Sequence, residues 1–321
     1  MSQMSFADAE YAGKRKKTRR EVFLDEMNQV IPWAALVKLI EPFYPVAGQG
    51  RRPYPLESML RVHLMQNFFT LSDPAMEEAL YDSASMRQFA GFKLSGAIPD
   101  ETTILNFRHL LEEYDLAEDI LAQVNKLLAA KGVLLKRGTI VDATIIAAPS
   151  STKNAKGERD PEMKQAKKGN QWYFGMKAHI GVDADSGLVH SVVGTAASVN
   201  DVTQAGSLLH GEEEAAFGDA GYQGVHKRPE AAGPAWHVAM RPGLRRKLNP
   251  FIEPEFIAEQ IERAKASVRA KVEHPFRVLK RQFGFTKVRY RGLAKNTAQI
   301  VTLFALGNLW LARRQLMQAR G

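Results

Sequence analysis

The chain has 321 residues, enough for one large domain or two ordinary ones, and 45% of them are hydrophobic, a share that supports a buried core. With no cysteine, disulfides, thiolate zinc sites and cysteine nucleophiles are excluded. A net charge of +9 favours a polyanionic partner such as nucleic acid.

The opening "MSQMSFADAEYAGKRKKTRR" lacks the apolar centre of a secretory signal. Lys14, Arg15, Lys16, Lys17, Arg19 and Arg20 give residues 1–20 the composition of a basic, flexible arm. Residues 21–135 read as a helical domain suited to DNA binding or dimerisation, with no helix marked as a reader of bases. "AALVKLIEPFYP" closes at Pro45, and "PLESMLRVHLMQNFF" opens at Pro55. "DPAMEEALYDSASMRQFAGF" has Asp73 as N-cap and Pro74 at the first helical position. "PDETTILNFRHLLEEY" and "LAEDILAQVNKLLAAKG" follow, the last stopped by Gly132.

The texture changes at Gly138. "GTIVDATIIAAP" is β-branched and apolar, as in a buried strand. "SSTKNAKGERDPEMKQAKKGNQ" reads as a polar, basic loop. "WYFGMKAHIGVDADSG" and "LVHSVVGTAAS" read as two strands joined by the turn "DADSG". "NDVTQAGSLL" starts a helix capped by Asn200 or Asp201, while "EEAAFGDAGYQG" and "AWHVAM" are short strands. "PEFIAEQIERAKASVRAKVE" is a long helix. Strands in this order with helices among them predict a mixed α/β sheet over residues 136–321. "TAQIVTLFALGNLWLA" falls short of the roughly 20 apolar residues that span a bilayer and is followed by Arg313 and Arg314, so it reads as a packed C-terminal helix. A cytoplasmic, nucleoid-associated protein without a membrane partner is the expectation.

Three carboxylates stand out. Asp142 lies inside "TIVDATII", where an ionised group on a buried strand is expensive without a partner. Asp219 lies where the strand of "AAFGDAGYQG" gives out. Glu273 lies in "RAKVEHPFRVLK", and at about 100° per residue Arg269, Glu273 and Lys280 fall on one helix face. That pattern is either a solvated face with i,i+4 pairing or a metal-binding carboxylate flanked by phosphate-holding cations. Pro275 interrupts it: either Glu273 ends one helix, or Pro275 sits in the first turn of another and a bend separates Glu273 from Lys280. Hard cations such as Mg²⁺ take oxygen ligands, and two of them can drive in-line attack on a phosphodiester. The eight histidines, among them His179, His190, His226 and His274, show no zinc-ligand spacing, and no G-x-S-x-G elbow is present. Asp183, Asp185 and Asp201 have turn or cap readings.

The Asp of "VDATII", the Asp of "GDAGY" and the Arg, Glu and Lys of "RAKVEHPFRVLK" together resemble the Asp-Asp-Glu transposases of bacterial insertion sequences. The stretch "RDPEMKQAKKGNQWYFGMKAHIGVDADSGLVHSVVGTAASVNDVTQA" is similar to the insertion-sequence-five family in particular, and "PDETTILNFR" extends the likeness into the helical region. One departure is Ala266, where the family often has tyrosine. The resemblance implies a ribonuclease-H-like catalytic core with an α-helical N-terminal domain. It implies two Mg²⁺ ions, replaceable by Mn²⁺, on Asp142, Asp219 and Glu273, and cleavage and joining of double-stranded DNA by a homodimer or larger assembly. Arg269 and Lys280 match the family's cations beside the glutamate. Arg277, Arg245, Arg246 and Lys247, with Arg241, Lys287, Arg289 and Arg291, are further candidate DNA contacts. The interval from Asp219 to Glu273 leaves no room for a large β-rich insertion. Two other readings use the same residues: a ribonuclease-H-like nuclease without transfer activity, and a DNA-binding descendant of a transposase whose chemistry has lapsed.

Overall fold

The computed structural model describes residues 16–48, 52–153 and 157–318. The chain forms two compact units, Met1–Leu127 with Ala305–Gly321, and Leu128–Phe304.

The first unit is helical. Thr18 closes a capping box with Glu21 at the start of helix Arg19–Val30, so Arg19 and Arg20 belong to that helix rather than to an arm. Lys14 and Arg15 lie outside the described residues. Helices Trp33–Ile40, Leu56–Phe69, Glu101–Glu113 and Leu116–Ala130 appear where the sequence places them. Leu56–Phe69 is the centre of the unit, with Met59, Leu60, Val62, Leu64, Met65 and Phe68 all buried. The stretch after it differs from expectation. Ser72, not Asp73, is the N-cap, and Ser83 splits the run into Asp73–Asp82 and Ala84–Phe89. Asp73 is thereby left to pair with the buried Arg108, whose guanidinium also reaches Glu112, at 3.0 and 2.6 Å.

The second unit is built on a six-stranded sheet of β1 (Gly138–Ala147), β2 (Lys164–Lys168), β3 (Gln171–Asp183), β4 (Val189–Ala196), β5 (Ala215–Gly218) and β6 (Ala235–Val238). β3 is the hub, pairing antiparallel with β1, with β4 and, at its start, with β2. β5 runs parallel beside β1, and β6 parallel beside β5. The order β4-β3-β1-β5-β6, antiparallel on one side of β1 and parallel on the other, is the ribonuclease-H-like arrangement. Two expectations change here. The polar loop contains strand β2, whose "KQAKK" has no apolar alternation to announce it. "NDVTQAGSLL" makes two 3-10 turns, Asp201–Gln204 and Gly206–Leu208, in place of a helix. Asp201 does not cap; its carboxylate accepts from Lys177 Nζ at 2.8 Å. At Gly206 a Cβ would lie 2.1 Å from the Glu230 carbonyl oxygen, so the chain is held there by close approach of another segment.

Side chains alternate along β1. Val141 faces a cluster of Val202, Ala205, Leu208, Tyr222, Val225 and Ala231. Ile140, Asp142 and Thr144 face the other way, where Lys280 Nζ donates to Thr144 Oγ1 at 2.5 Å. The β1–β5 pairing is anchored by Glu213, just ahead of β5. Its carboxylate accepts from the Thr139 hydroxyl of β1 at 2.9 Å and from the backbone N–H groups of His210 and Gly211 at 2.5 and 2.8 Å. Burial alone would raise this carboxyl, but those hydrogen bonds outweigh it and hold the group below its ordinary value of 4.5.

Replacing Glu213 with Ala strands buried donors and is expected to destabilise the protein by about 1–3 kcal/mol, measured by denaturant unfolding. Because the folded carboxyl is held low, this stabilisation is complete above the ordinary value of 4.5 and fades as pH falls below it. The gap between parent and Glu213→Ala should therefore narrow in acid.

Candidate active site

β1 and β5 set the first two carboxylates. Gly138, Thr139 and Ile140 pair with Ala215, Ala216 and Phe217. Carrying that parallel register two residues further sets Asp219 level with Asp142 on the neighbouring strand, roughly 5 Å away between backbones. Asp219 keeps extended backbone angles as it leaves β5, and its Oδ1 accepts from Gly221 N at 2.8 Å, capping the turn Ala220–Tyr222. Gly218 is required there: a Cβ would sit 2.9 Å from Tyr222 Cβ.

The third carboxylate arrives on a helical run of changing pitch. Helix Glu253–Arg269 tightens into 3-10 geometry at Ala270–Val272, resumes as α at Glu273–Arg277 and loosens into a π segment at Val278–Gln282. Pro275 is absorbed in the first turn of the resumed α segment, where its missing N–H leaves few bonds unmade. The tight turn over-rotates the chain and the loose one under-rotates it, so the offsets counter each other. Arg269 and Lys280 both reach β1, while Glu273 is exposed on the same run. Arg269 Nη2 lies 4.0 Å from Asp142 Oδ2, Glu273 bears electrostatically on Asp142, and Lys280 holds Thr144 Oγ1 and the Ile145 carbonyl.

Asp142 carries the strain of this gathering. Its side chain is 19% exposed, and burial pushes its pKa up to about 6. The Ala143 N–H opposes the rise, Asp219 adds to it, Arg269 opposes it and Glu273 adds to it. Lys280 is lowered by its own burial and by Lys168, against Glu273. Arg269 Nε has no hydrogen-bond partner among the described residues. Asp142, Asp219 and Glu273 offer oxygen donors of the kind that hard divalent ions take, but their ligand atoms do not lie within 4.8 Å of one another.

The outlying basic candidates are not gathered with these. Arg245 is held by both oxygens of Glu259, at 2.9 Å each. Arg246, Lys247, Arg277, Lys287, Arg289 and Arg291 are exposed.

Two features escaped the sequence. Tyr222 is fully buried, its hydroxyl has no partner among the described residues, and burial followed by Asp142, Asp201 and Asp219 pushes its pKa upward. Its place three residues after Asp219 was the available signal. The second is a cluster of His190, His210 and Glu213, whose ligand atoms lie within 4.8 Å of one another. No local spacing announces it, since three separate segments build it. Thr139 ties the cluster to the face of β1 opposite Asp142, and hydrogen bonds already occupy it: His190 meets Thr139 and Ser191 at 3.1 and 2.9 Å.

A ribonuclease-H-like sheet with acids on β1 and at the end of β5 is compatible with metal-dependent chemistry on phosphodiesters. The chain matches the family described as Transposase DDE domain over residues 134–309, and Transposase domain (DUF772) over residues 12–110. It belongs to the DDE transposases: it is a DNA transposase, an enzyme of DNA cleavage and strand transfer that uses a divalent metal. No solved structure matches it. No helix among the described residues is long and apolar enough to cross a membrane.

A carboxyl raised on folding costs stability once both states are ionised, and costs nothing where both are protonated. Without divalent metal, Asp142→Asn is thus expected to be more stable than the parent by about 1–3 kcal/mol at pH 8, with the gain gone below pH ~4. Unfolding in chelator at both pH values measures it.

Proposed function

We propose that Asp142, Asp219 and Glu273 are the catalytic carboxylates. They would hold two Mg²⁺ ions, with Mn²⁺ as a substitute, and cut DNA at the ends of an insertion sequence of the insertion-sequence-five type before joining those ends to a target. The observation that carries this reading is the register that levels Asp219 with Asp142 on adjacent parallel strands while Glu273 bears on Asp142 from the helix. When bound, the ions supply the positive charge that activates the attacking water or 3′-hydroxyl and stabilises the leaving oxygen.

The chain's own groups do the remainder. Arg269, fixed beside Asp142 with a free Nε, offers its planar fork to a non-bridging phosphate oxygen. Lys280, tethered to Thr144, gives a point charge on the same face. Arg277, Arg246 and Lys247 follow the flanking backbone, adding salt-dependent affinity and no sequence information. Arg245, committed to Glu259, takes part only by exchanging that partner. The helical unit, within residues 21–135, serves DNA binding or dimerisation, and two copies act together because two ends are joined in one reaction.

The test incubates a plasmid carrying the gene and its native flanks with purified protein in Mg²⁺ or Mn²⁺ and maps new 3′-hydroxyl ends. Paired nicks at inverted repeats are expected, falling by about 100-fold or more in Asp219→Asn while DNA binding survives. Scattered nicks would instead identify a nuclease. Binding to the flanks without any nicks would identify a lapsed enzyme. Undiminished cleavage by Asp219→Asn would move the site elsewhere.

A further inference from the structure

The outer part of the β2–β3 hairpin lies outside the five-strand core. It extends β3 past the end of β1: the β1 pairing stops at Ala147 opposite Gly175, and β3 continues back to Gln171. At 3.3 Å per residue the hairpin projects about 13 Å beyond β1. Its turn is the pair Gly169–Asn170, with Gly169 at φ +61°, the left-handed geometry that tight hairpins need.

The base of the hairpin is pinned and its tip is open. Ahead of β2, Asp160 accepts from Gly292 N at 2.7 Å and Glu162 from Leu293 N at 2.6 Å. Those acids are spent on the chain itself. Lys164, Lys167 and Lys168 are exposed, and none forms an ion pair among the described residues. Trp172 is 63% exposed, an unusual state for the largest apolar side chain.

Register fixes which way this surface looks. Along β3, Ile180 pairs with Asp142 and Ala178 with Thr144, so even-numbered β3 residues share the carboxylate face. Trp172 and Phe174 are even-numbered, and Lys167 lies directly across from Trp172. Arg159 covers the Phe174 ring at 5.5 Å, adding a further cation. Lys164 and Lys168, across from Gly175 and Gln171, point to the reverse face of the hairpin.

We propose that this hairpin is a single-strand DNA holder, with Trp172 stacking on an unpaired base and Lys167, directly across from it on the same face, contacting the adjoining phosphate. An indole face stacks on a base only where the base is not already stacked within a duplex, and lysines beside an aromatic are the pattern that serves this purpose. The inference rests on the transposase reading for its source of single strand: cleaving and rejoining DNA on the carboxylate face frees strand ends. It makes no use of the carboxylates for binding.

The experiment titrates full-length protein with a short oligothymidylate and with a random-sequence duplex of equal length, in chelator, following tryptophan fluorescence and anisotropy. The parent is expected to bind oligothymidylate with quenching. Trp172→Phe should keep most of the affinity and lose most of the quenching, while Trp172→Ala should bind oligothymidylate about tenfold more weakly and the duplex unchanged. Lys167→Ala should lower the salt slope on the single strand by about 0.7, while Lys168→Ala, on the reverse face, should leave it as it is. Unchanged thermal unfolding of Trp172→Ala would confirm that the loss is one of contact. Oligothymidylate binding by Trp172→Ala at parental strength, or an equal loss on duplex and single strand, would overturn the proposal. Asp219→Asn separates the two readings, since it should bind oligothymidylate as the parent does while failing to nick the plasmid. Loss of nicking there with parental binding by Trp172→Ala would leave the active site standing and remove the hairpin's role.

Discussion

The parallel pairing of β1 with β5 is the constraint on which the second unit depends. It is short, Gly138–Ile140 against Ala215–Phe217, and it joins segments far apart in the chain. A slip of one residue would turn Asp219 to the wrong face and bury it against the apolar cluster beneath Val141. Glu213 guards against that slip. It sits just ahead of β5, grips Thr139 on β1 and closes the preceding turn through two backbone N–H groups. A buried carboxylate with several donors is more specific than an apolar contact, because each misregistered alternative leaves donors unpaired. The polar cluster of His190, His210 and Glu213 is thus explained as a fastening on the reverse of the sheet whose obverse carries the acids.

Glu273 is positioned by a different device. A regular helix containing Pro275 would kink and send Lys280 away from β1. Here the change of pitch is spread over three segments, one tight, one ordinary and one loose, and Arg269 and Lys280 both reach β1. Val272, Phe276 and Leu279 are buried between them, so apolar packing holds the irregular run in place where hydrogen bonding alone would not. Such departures from α geometry concentrate at functional sites because only packing can sustain them.

Much of this was legible in the sequence for local reasons. "TIVDATII" reads as a strand because its apolar residues fill both faces, and an Asp within such a run has to be explained. Arg269, Glu273 and Lys280 are legible because 3.6-residue periodicity survives modest distortion. Other features have no local signature. β2 is hidden because "KQAKK" is polar on both sides, and only pairing with β3 makes it a strand. The 3-10 turns after Asn200 follow from Asp201 being drawn to Lys177 and from Glu230 crowding Gly206, both contacts at long range. Tyr222 becomes conspicuous only once the strands set it beneath Asp142 and Asp219.

The remaining physical question is how a chain of net charge +9 spends its cations around these three acids. The answer is in how the other charges are spent. Glu259 binds Arg245 and Arg263, Glu262 binds Lys265, and Asp201 binds Lys177, so the acids nearest these cations are used up in structural pairs. The cations left over, such as Lys164, Lys167, Arg246 and Lys247, are exposed. Charges in water more than a Debye length away, about 8 Å at physiological salt, contribute little to one another. Those exposed cations can attract a polyanion from solution. Arg269 lies 4.0 Å from Asp142 and Lys280 is within reach of the Glu273 charge, yet burial still pushes Asp142 up to about 6. On the proposed assignment of the three carboxylates, positive charge from outside the chain would complete the site.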